Sequence, residues 1–174
     1  GWNLIQKELD KYKTKFIPVD SEHFSIWYAS YNNFQNIDKI ILTASGGPLY
    51  KLPIKKFKKV KISQALNHPN WRMGKKISID SATMMNKVFE IIEAKKIFNI
   101  ELNKFKILIH PKSYVHAIVK LKNGLIKIVA HDTDMKIPIT NSLYLNENKF
   151  LKTKKINVKI LNDLKLTEVN KKQF

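Results

Sequence analysis

Asn123-Gly124 lies between two apolar runs, Val115–Leu121 and Leu125–Ala130, and this is the most constraining local signal in the chain. Asn-Gly accepts the left-handed backbone of a tight turn, so the two runs are expected to pair as an antiparallel hairpin. A second run, Ile37–Thr43, is continuously apolar, as expected of a strand covered on both faces. Phe105–Ile109 and Phe16–Val19 read as further strands. Between them, Asp80 is placed to cap a helix on which Ala82, Met84, Met85, Phe89, Ile91, Ile92 and Ala94 follow a helical period to about Phe98. Shorter helices are expected over 1–15, with Leu4, Ile5 and Leu9 inward, over Phe24–Ser30, and over Ser63–Leu66. The segment 151–174 reads as one or two strands, at Ile156–Ile160 and Leu164–Val169, and a polar exit.

At 174 residues the chain can bury one good core, with at most a small appendage. It opens on Gly1-Trp2-Asn3 without a methionine, which points to part of a longer protein. No apolar run suits a membrane span and no signal-peptide pattern is present. With no cysteine, neither a disulfide scaffold nor a thiolate metal site can form. The formal charge of +18 invites a nucleic-acid reading, but Arg72 is the only arginine and lysines run evenly along the chain beside abundant Ile and Asn. A/T-biased coding explains that pattern better. A basic field still attracts a phosphorylated metabolite.

Three stretches suggest chemistry. Asp20-Ser21-Glu22-His23 sets two carboxylates at a strand-to-helix junction, suited either to a hard divalent cation or to capping the next helix. Ser45-Gly46-Gly47 follows the buried strand, where backbone N–H groups and a hydroxyl can meet an anion or simply make a tight turn. The third, Asn67–Glu90, begins as a basic, Gly- and Pro-containing loop around Trp71 and continues into the helix. There Asn86 and Glu90 share a face, and Ser81 occupies a first turn that favours an anion.

The third stretch closely resembles the active-site segment of the 1-deoxy-D-xylulose 5-phosphate reductoisomerase family, H-P-N-W-x-M-G-x-K-I-x-x-D-S-A-T-M-M-N-K-G-x-E. Val-Asp-Ser-Glu-His at 19–23 and Thr-Ala-Ser-Gly-Gly-Pro at 43–48 match the family as well. Three positions depart from it. Val88 stands for a glycine, which sets a β-branched side chain where close packing is expected. Thr133 and Lys136 replace Pro and Arg in the stretch His131–Ile139. His110-Pro111-Lys112-Ser113-Tyr114-Val115-His116 resembles the family's H-P-x-S-x-x-H, and both histidines read as structural.

The resemblance implies an α+β catalytic domain with helices on one face of a mixed or largely antiparallel sheet, similar to the second domain of glyceraldehyde-3-phosphate dehydrogenases. It divides the chain into a helix at 1–15 entering from a nucleotide-binding domain, a metal- and substrate-binding domain at 16–150, and an exit at 151–174 toward a helical domain. No G-x-G-x-x-G fingerprint occurs in the sequence. It further implies Mg²⁺ or Mn²⁺ on Asp20, Glu22 and Glu90. Substrate would contact Ser21, Ser45, His68, Ser81, Asn86, Lys87 and Glu90. Glu22, His68, Trp71 and Met73 would serve the reaction, the last two by closing a loop over the substrate.

The implied reaction is skeletal rearrangement of a phosphorylated keto sugar and its reduction by NADPH, in non-mevalonate isoprenoid biosynthesis. The expected setting is a homodimer in a bacterial cytoplasm or a plastid-type organelle, with no nucleic-acid or membrane partner. The 174 residues alone are expected to be inactive. A basic binding module and a phosphosugar isomerase without reduction remain open alternatives.

Overall fold

The computed structural model describes residues 1–71, 73–145, 147 and 149–170. Arg72 and the end of the exit segment, residues 171–174, lie outside them. The hairpin forms as the sequence predicts. Strand β3 (Val115–Leu121) turns through Gly124, at φ 89°, into β4 (Ile126–Ala130). The buried run becomes β1 (Ile37–Ala44), which pairs antiparallel with β3 on one side and parallel with β2 (Phe105–Ile109) on the other. A two-residue strand, β5 (Thr167–Glu168), closes a five-stranded mixed sheet ordered β4-β3-β1-β2-β5.

The core lies where the middle of this sheet meets two helices, α2 (Ser21–Ser30) and α5 (Met85–Phe98). Ile37, Ile40 and Leu42 of β1 and Ala117, Val119 and Leu121 of β3 pack with Phe24, Ile26 and Trp27 of α2 and with Ala94 and Phe98 of α5. Each large side chain buried here contributes about 1.5–3 kcal/mol, which fixes both helices on the sheet. Asp20 caps α2, its Oδ1 accepting from the N–H groups of Glu22 and His23 at 3.2 and 3.4 Å. The α5 helix ends at Asn99 in the left-handed conformation, with Lys95 and Lys96 in its last turn complementing the dipole.

Several elements differ from the sequence expectation. The helix starting at Asp80 is really two, α4 (Lys75–Ala82) and α5, separated where Met84 turns left-handed at φ 63°. Asp80 is therefore inside α4, paired with Lys76 at 2.6 Å, and Ser81 lies in a last turn rather than a first. The anion-favouring dipole argument for Ser81 fails with it.

Residues 16–19 form no strand. Pro18 has no N–H to offer a ladder, and its carbonyl instead accepts from Ser142 at 3.0 Å. The first helix, α1 (Trp2–Tyr12), buries none of its residues, and Leu4 and Ile5 are exposed. α3 (Ile62–Leu66) forms close to where it is expected. α6 (Lys136–Leu143) was not expected at all, and Ile156–Ile160 falls partly in a short helix, α7 (Val158–Asn162), instead of a strand. Val88 is 42% exposed, so its branched side chain meets no packing conflict. Among the described residues no helix is long and apolar enough to cross a membrane.

Candidate active site

Above the C-terminal end of β1 lies a cavity of about 400 Å³. The start of α2 brings Asp20, Ser21 and Glu22 to it, and β1 ends there in Thr43, Ala44 and Ser45. The loop before α4 supplies His68, Trp71 and Met73, α4 supplies Ser81, and α5 supplies Asn86, Lys87 and Glu90. All eleven residues given a role from the sequence line this one cavity.

The turn after β1 can approach α4 only because residue 47 is glycine. A Cβ there would stand 2.3 Å from the Ser81 carbonyl oxygen, and φ is +69°. Close contact with α4, more than freedom to turn, is what this glycine provides. It sets Ser45 and Ser81 on adjoining walls.

His68 organises the Ser45 side. Its Nδ1 accepts from the backbone N–H groups of Asn70 and Trp71, at 3.2 and 3.0 Å. The neutral ring then carries its proton on Nε2, which donates to Ser45 Oγ at 2.9 Å. Burial, helped by the charge of Lys87, lowers the His68 pKa and keeps the ring neutral. Ser45 Oγ also accepts from the Gly47 N–H at 3.0 Å. With both acceptor positions used, the Ser45 hydroxyl hydrogen is free to donate to a ligand oxygen.

The loop is held more firmly than its Gly- and Pro-containing sequence suggests. Asn70 Nδ2 donates to Pro111 O and Ser113 Oγ, both at 2.7 Å. Trp71, which has no apolar neighbour nearby in sequence, sets its ring 6.1 Å from His116 of β3 in an edge-on contact. It is half-buried, and Trp27 in the core is buried.

The opposite wall is ionic. Lys87 Nζ is almost fully buried, donates to Glu90 Oε2 at 2.6 Å, and makes a closer contact with Glu22 Oε1. Ser21 Oγ donates to the other Glu22 oxygen at 2.5 Å, and Asn86 Nδ2 to the other Glu90 oxygen at 3.2 Å. Burial, followed by the charge of Glu22, pushes the Glu90 carboxyl up to about 8, with Lys87 opposing. Burial alone would lower the Lys87 pKa, but the two carboxylates raise it, so the ammonium stays charged.

Asp20 faces its own helix, with Oδ1 3.2 Å from His23 Nδ1. Burial of its carboxyl end works against ionisation, but half of the side chain is solvent-exposed and the His23 hydrogen bond and charge dominate, holding the pKa near 2. His23 is raised to about 9: burial opposes its charge, Asp20 outweighs burial, and the Glu90 carbonyl adds to it.

This donor set suits a hard cation, since two half-buried carboxylates already share a positive charge and a third lines the same cavity. As they stand, however, no three carboxylate, histidine or cysteine side chains among the described residues converge closely enough to hold a metal ion. Asp20 is turned to His23, and Lys87 lies against Glu22 and Glu90, meeting carboxylates where a phosphate contact is expected from the resemblance.

Sequence reasoning did not place Met135, Ser113 or Val115 at the cavity. Met135 lies within the stretch His131–Ile139, and only the unexpected helix α6 brings it near. His116, read from the sequence as structural, donates its Nε2–H to the His131 carbonyl at 3.1 Å with the two rings stacked at 3.7 Å, and it also lines the cavity. His110 is buried, and its Nδ1 lies 3.0 Å from the Lys165 carbonyl.

Residues 16–98 match the family model for the 1-deoxy-D-xylulose 5-phosphate reductoisomerase C-terminal domain. Over its whole length the chain is 62% identical to a 1-deoxy-D-xylulose 5-phosphate reductoisomerase of Pelagibacter ubique (strain HTCC1062), covering 45% of that protein. A reductoisomerase of Wolbachia pipientis wMel is 46% identical over 88% of the chain and 40% of its own length. The chain therefore spans less than half the length of these curated relatives. Among solved structures, the reductoisomerase of Zymomonas mobilis in complex with NADPH superposes with a TM-score of 0.88 at 34% identity, over all of this chain and 45% of that one. A DOX-P reductoisomerase in complex with NADPH, fosmidomycin and magnesium gives 0.86 at 34% identity, over 99% of this chain and 45% of its own. With its fold, its cavity and its whole length matched in this way, the chain is similar throughout to one part of the 1-deoxy-D-xylulose 5-phosphate reductoisomerases.

Proposed function

We propose that this chain is the metal- and substrate-binding part of a reductoisomerase that converts 1-deoxy-D-xylulose 5-phosphate to 2-C-methyl-D-erythritol 4-phosphate. One carbon–carbon bond breaks and another forms, and the rearranged aldehyde takes a hydride from NADPH and a proton, leaving NADP⁺. The observation that carries the reading is the meeting of three carboxylates with Ser45, Ser81, Asn86 and Lys87 in one cavity. Asp20, Glu22 and Glu90 would hold Mg²⁺ or Mn²⁺, which would supply Lewis-acid stabilisation of negative charge on the sugar oxygens. The donor chemistry supports this, as does the magnesium in the complex of a similar DOX-P reductoisomerase.

Ser45, Ser81, Asn86 and Lys87 take the phosphate, a remote handle whose binding energy orients the reacting end. Ser21 touches a substrate oxygen near the carboxylates. Glu22 and His68 border the reacting carbons, and Trp71 and Met73 exclude water from above. NADPH is held by sequence that the relatives have beyond the part matched here. In this reading residues 1–15 enter from a nucleotide-binding domain, 16–150 form the catalytic domain, and 151–174 lead to a helical one. The protein works as a homodimer in the bacterial cytoplasm.

The test is NADPH oxidation in the polypeptide extended to its relatives' length. Loss of NADPH absorbance that needs both the keto sugar phosphate and Mg²⁺ is expected. It should disappear in Glu22→Gln and Glu90→Gln. Turnover of the sugar without NADPH consumption would favour an isomerase and reject the reduction.

A further inference from the structure

We propose that Lys87 is an exchangeable counterion: a divalent cation arriving at Glu22 and Glu90 displaces its ammonium, which turns to the phosphate of the ligand. This rests on the reading of Asp20, Glu22 and Glu90 as metal ligands, and adds that cation and anion binding are coupled through one side chain.

Three observations carry it. First, the ammonium is in direct contact with an oxygen of each glutamate, from α2 and from α5. A metal ion bonding those oxygens at a little over 2 Å leaves no room for Nζ beside them. Second, no three-ligand group is assembled among the described residues, and Lys87 is in contact with two of the three carboxylates. Third, Lys87 is only 3% exposed, so its displaced charge needs a new partner. A buried charge deprived of its partner is strongly destabilising. Ser45, Ser81 and Asn86 line the same cavity, and an anion among them offers that partner without returning the ammonium to bulk solvent. The coupling is reciprocal: phosphate that draws Lys87 away frees the glutamates, and a cation that expels Lys87 prepares the anion site.

The experiment is a Mn²⁺ titration of the full chain, alone and with saturating inorganic phosphate, in wild type and Lys87→Met. Phosphate should tighten Mn²⁺ in the wild type by about tenfold, and Mn²⁺ should tighten phosphate by the same factor. In Lys87→Met, Mn²⁺ should bind about tenfold more tightly without phosphate, and the coupling should vanish. Unchanged or weaker Mn²⁺ binding in the variant, or coupling that survives in it, overturns the exchange while leaving the metal reading intact. Absence of Mn²⁺ binding in both proteins overturns both.

Mass-spectrometric acylation footprinting of the wild type removes any dependence on the variant's folding. Lys87 should be protected at first, become labelled on adding Mg²⁺ alone, and be protected again on adding phosphate. Protection that does not respond to Mg²⁺ under conditions where Mg²⁺ binds refutes the exchange.

Discussion

Two ionic contacts tie the start of α2 to α5, side by side and built in opposite ways. In the first, His23 is buried, with Nδ1 3.2 Å from Asp20 Oδ1 and Nε2–H donating to the Glu90 backbone carbonyl at 2.9 Å. One end is a carboxylate that already caps α2 and the other is main chain, so the contact is tied to the backbone on both sides. In the second, Glu22, Lys87 and Glu90 meet only through side-chain ends, with no backbone group in the contact. The difference teaches how a charged cavity is kept in shape. The frame is fastened through backbone, and the charges that meet ligands are left free to change partners.

Breaking the first contact should have the largest effect. His23→Leu strips the Glu90 carbonyl and Asp20 of a buried partner and should cost about 3 kcal/mol of unfolding free energy in a denaturant titration. Cation affinity of the protein that remains folded should change less than in the carboxylate variants. The second contact should respond the other way. Glu22→Gln or Glu90→Gln should weaken Mn²⁺ binding by about a hundredfold while moving the denaturation midpoint little. Equal stability losses in both sets would erase the distinction between frame and charges.

A pH series sharpens the comparison with a third buried group. Burial, with the neighbouring His131, lowers the His116 pKa from 6.5 to about 3. The folded state therefore holds this ring neutral while the unfolded chain protonates it. Its contribution is intact above about pH 6.5 and is lost as the pH falls toward about 3, amounting to about 2 kcal/mol between pH 6 and pH 4. His116→Asn should flatten that part of the stability curve. The smallest effect belongs to Val88, exposed on α5. Val88→Gly should lower stability by about 0.5 kcal/mol through helix propensity and leave Mn²⁺ affinity unchanged.

What could be read from the sequence depended on how local the determinant was. The hairpin and β1 were legible because Asn123-Gly124 and the Ile37–Thr43 run specify their own geometry. The cavity residues were legible through long matched stretches, and every residue named on that basis lines it. The break at Met84 was hidden, because the helical period runs through it and only the packing of α4 near the Gly47 turn reveals why the chain must bend. The position of Lys87 was hidden for a different reason: it depends on Glu22, 65 residues away in sequence. α6 escaped notice because Pro138 stands in its first turn and reads as a breaker, although proline is tolerated there.

The single parallel pairing among the described strands, β1 with β2, has a consequence for how this molecule assembles. Parallel neighbours cannot be joined by a tight turn, so the whole of 45–104 must travel out and back as one crossover. That crossover carries the Trp71 loop, α3, α4 and α5, and with them most of the cavity. Its ends are brought together only when β2 docks beside β1, at the entropic cost of closing a long loop. The hairpin and α2 can form early from nearby residues, whereas the cavity takes shape in a late, non-local step. Ligand-binding competence should therefore be the last property to appear during refolding, and the first to be lost when β2 frays.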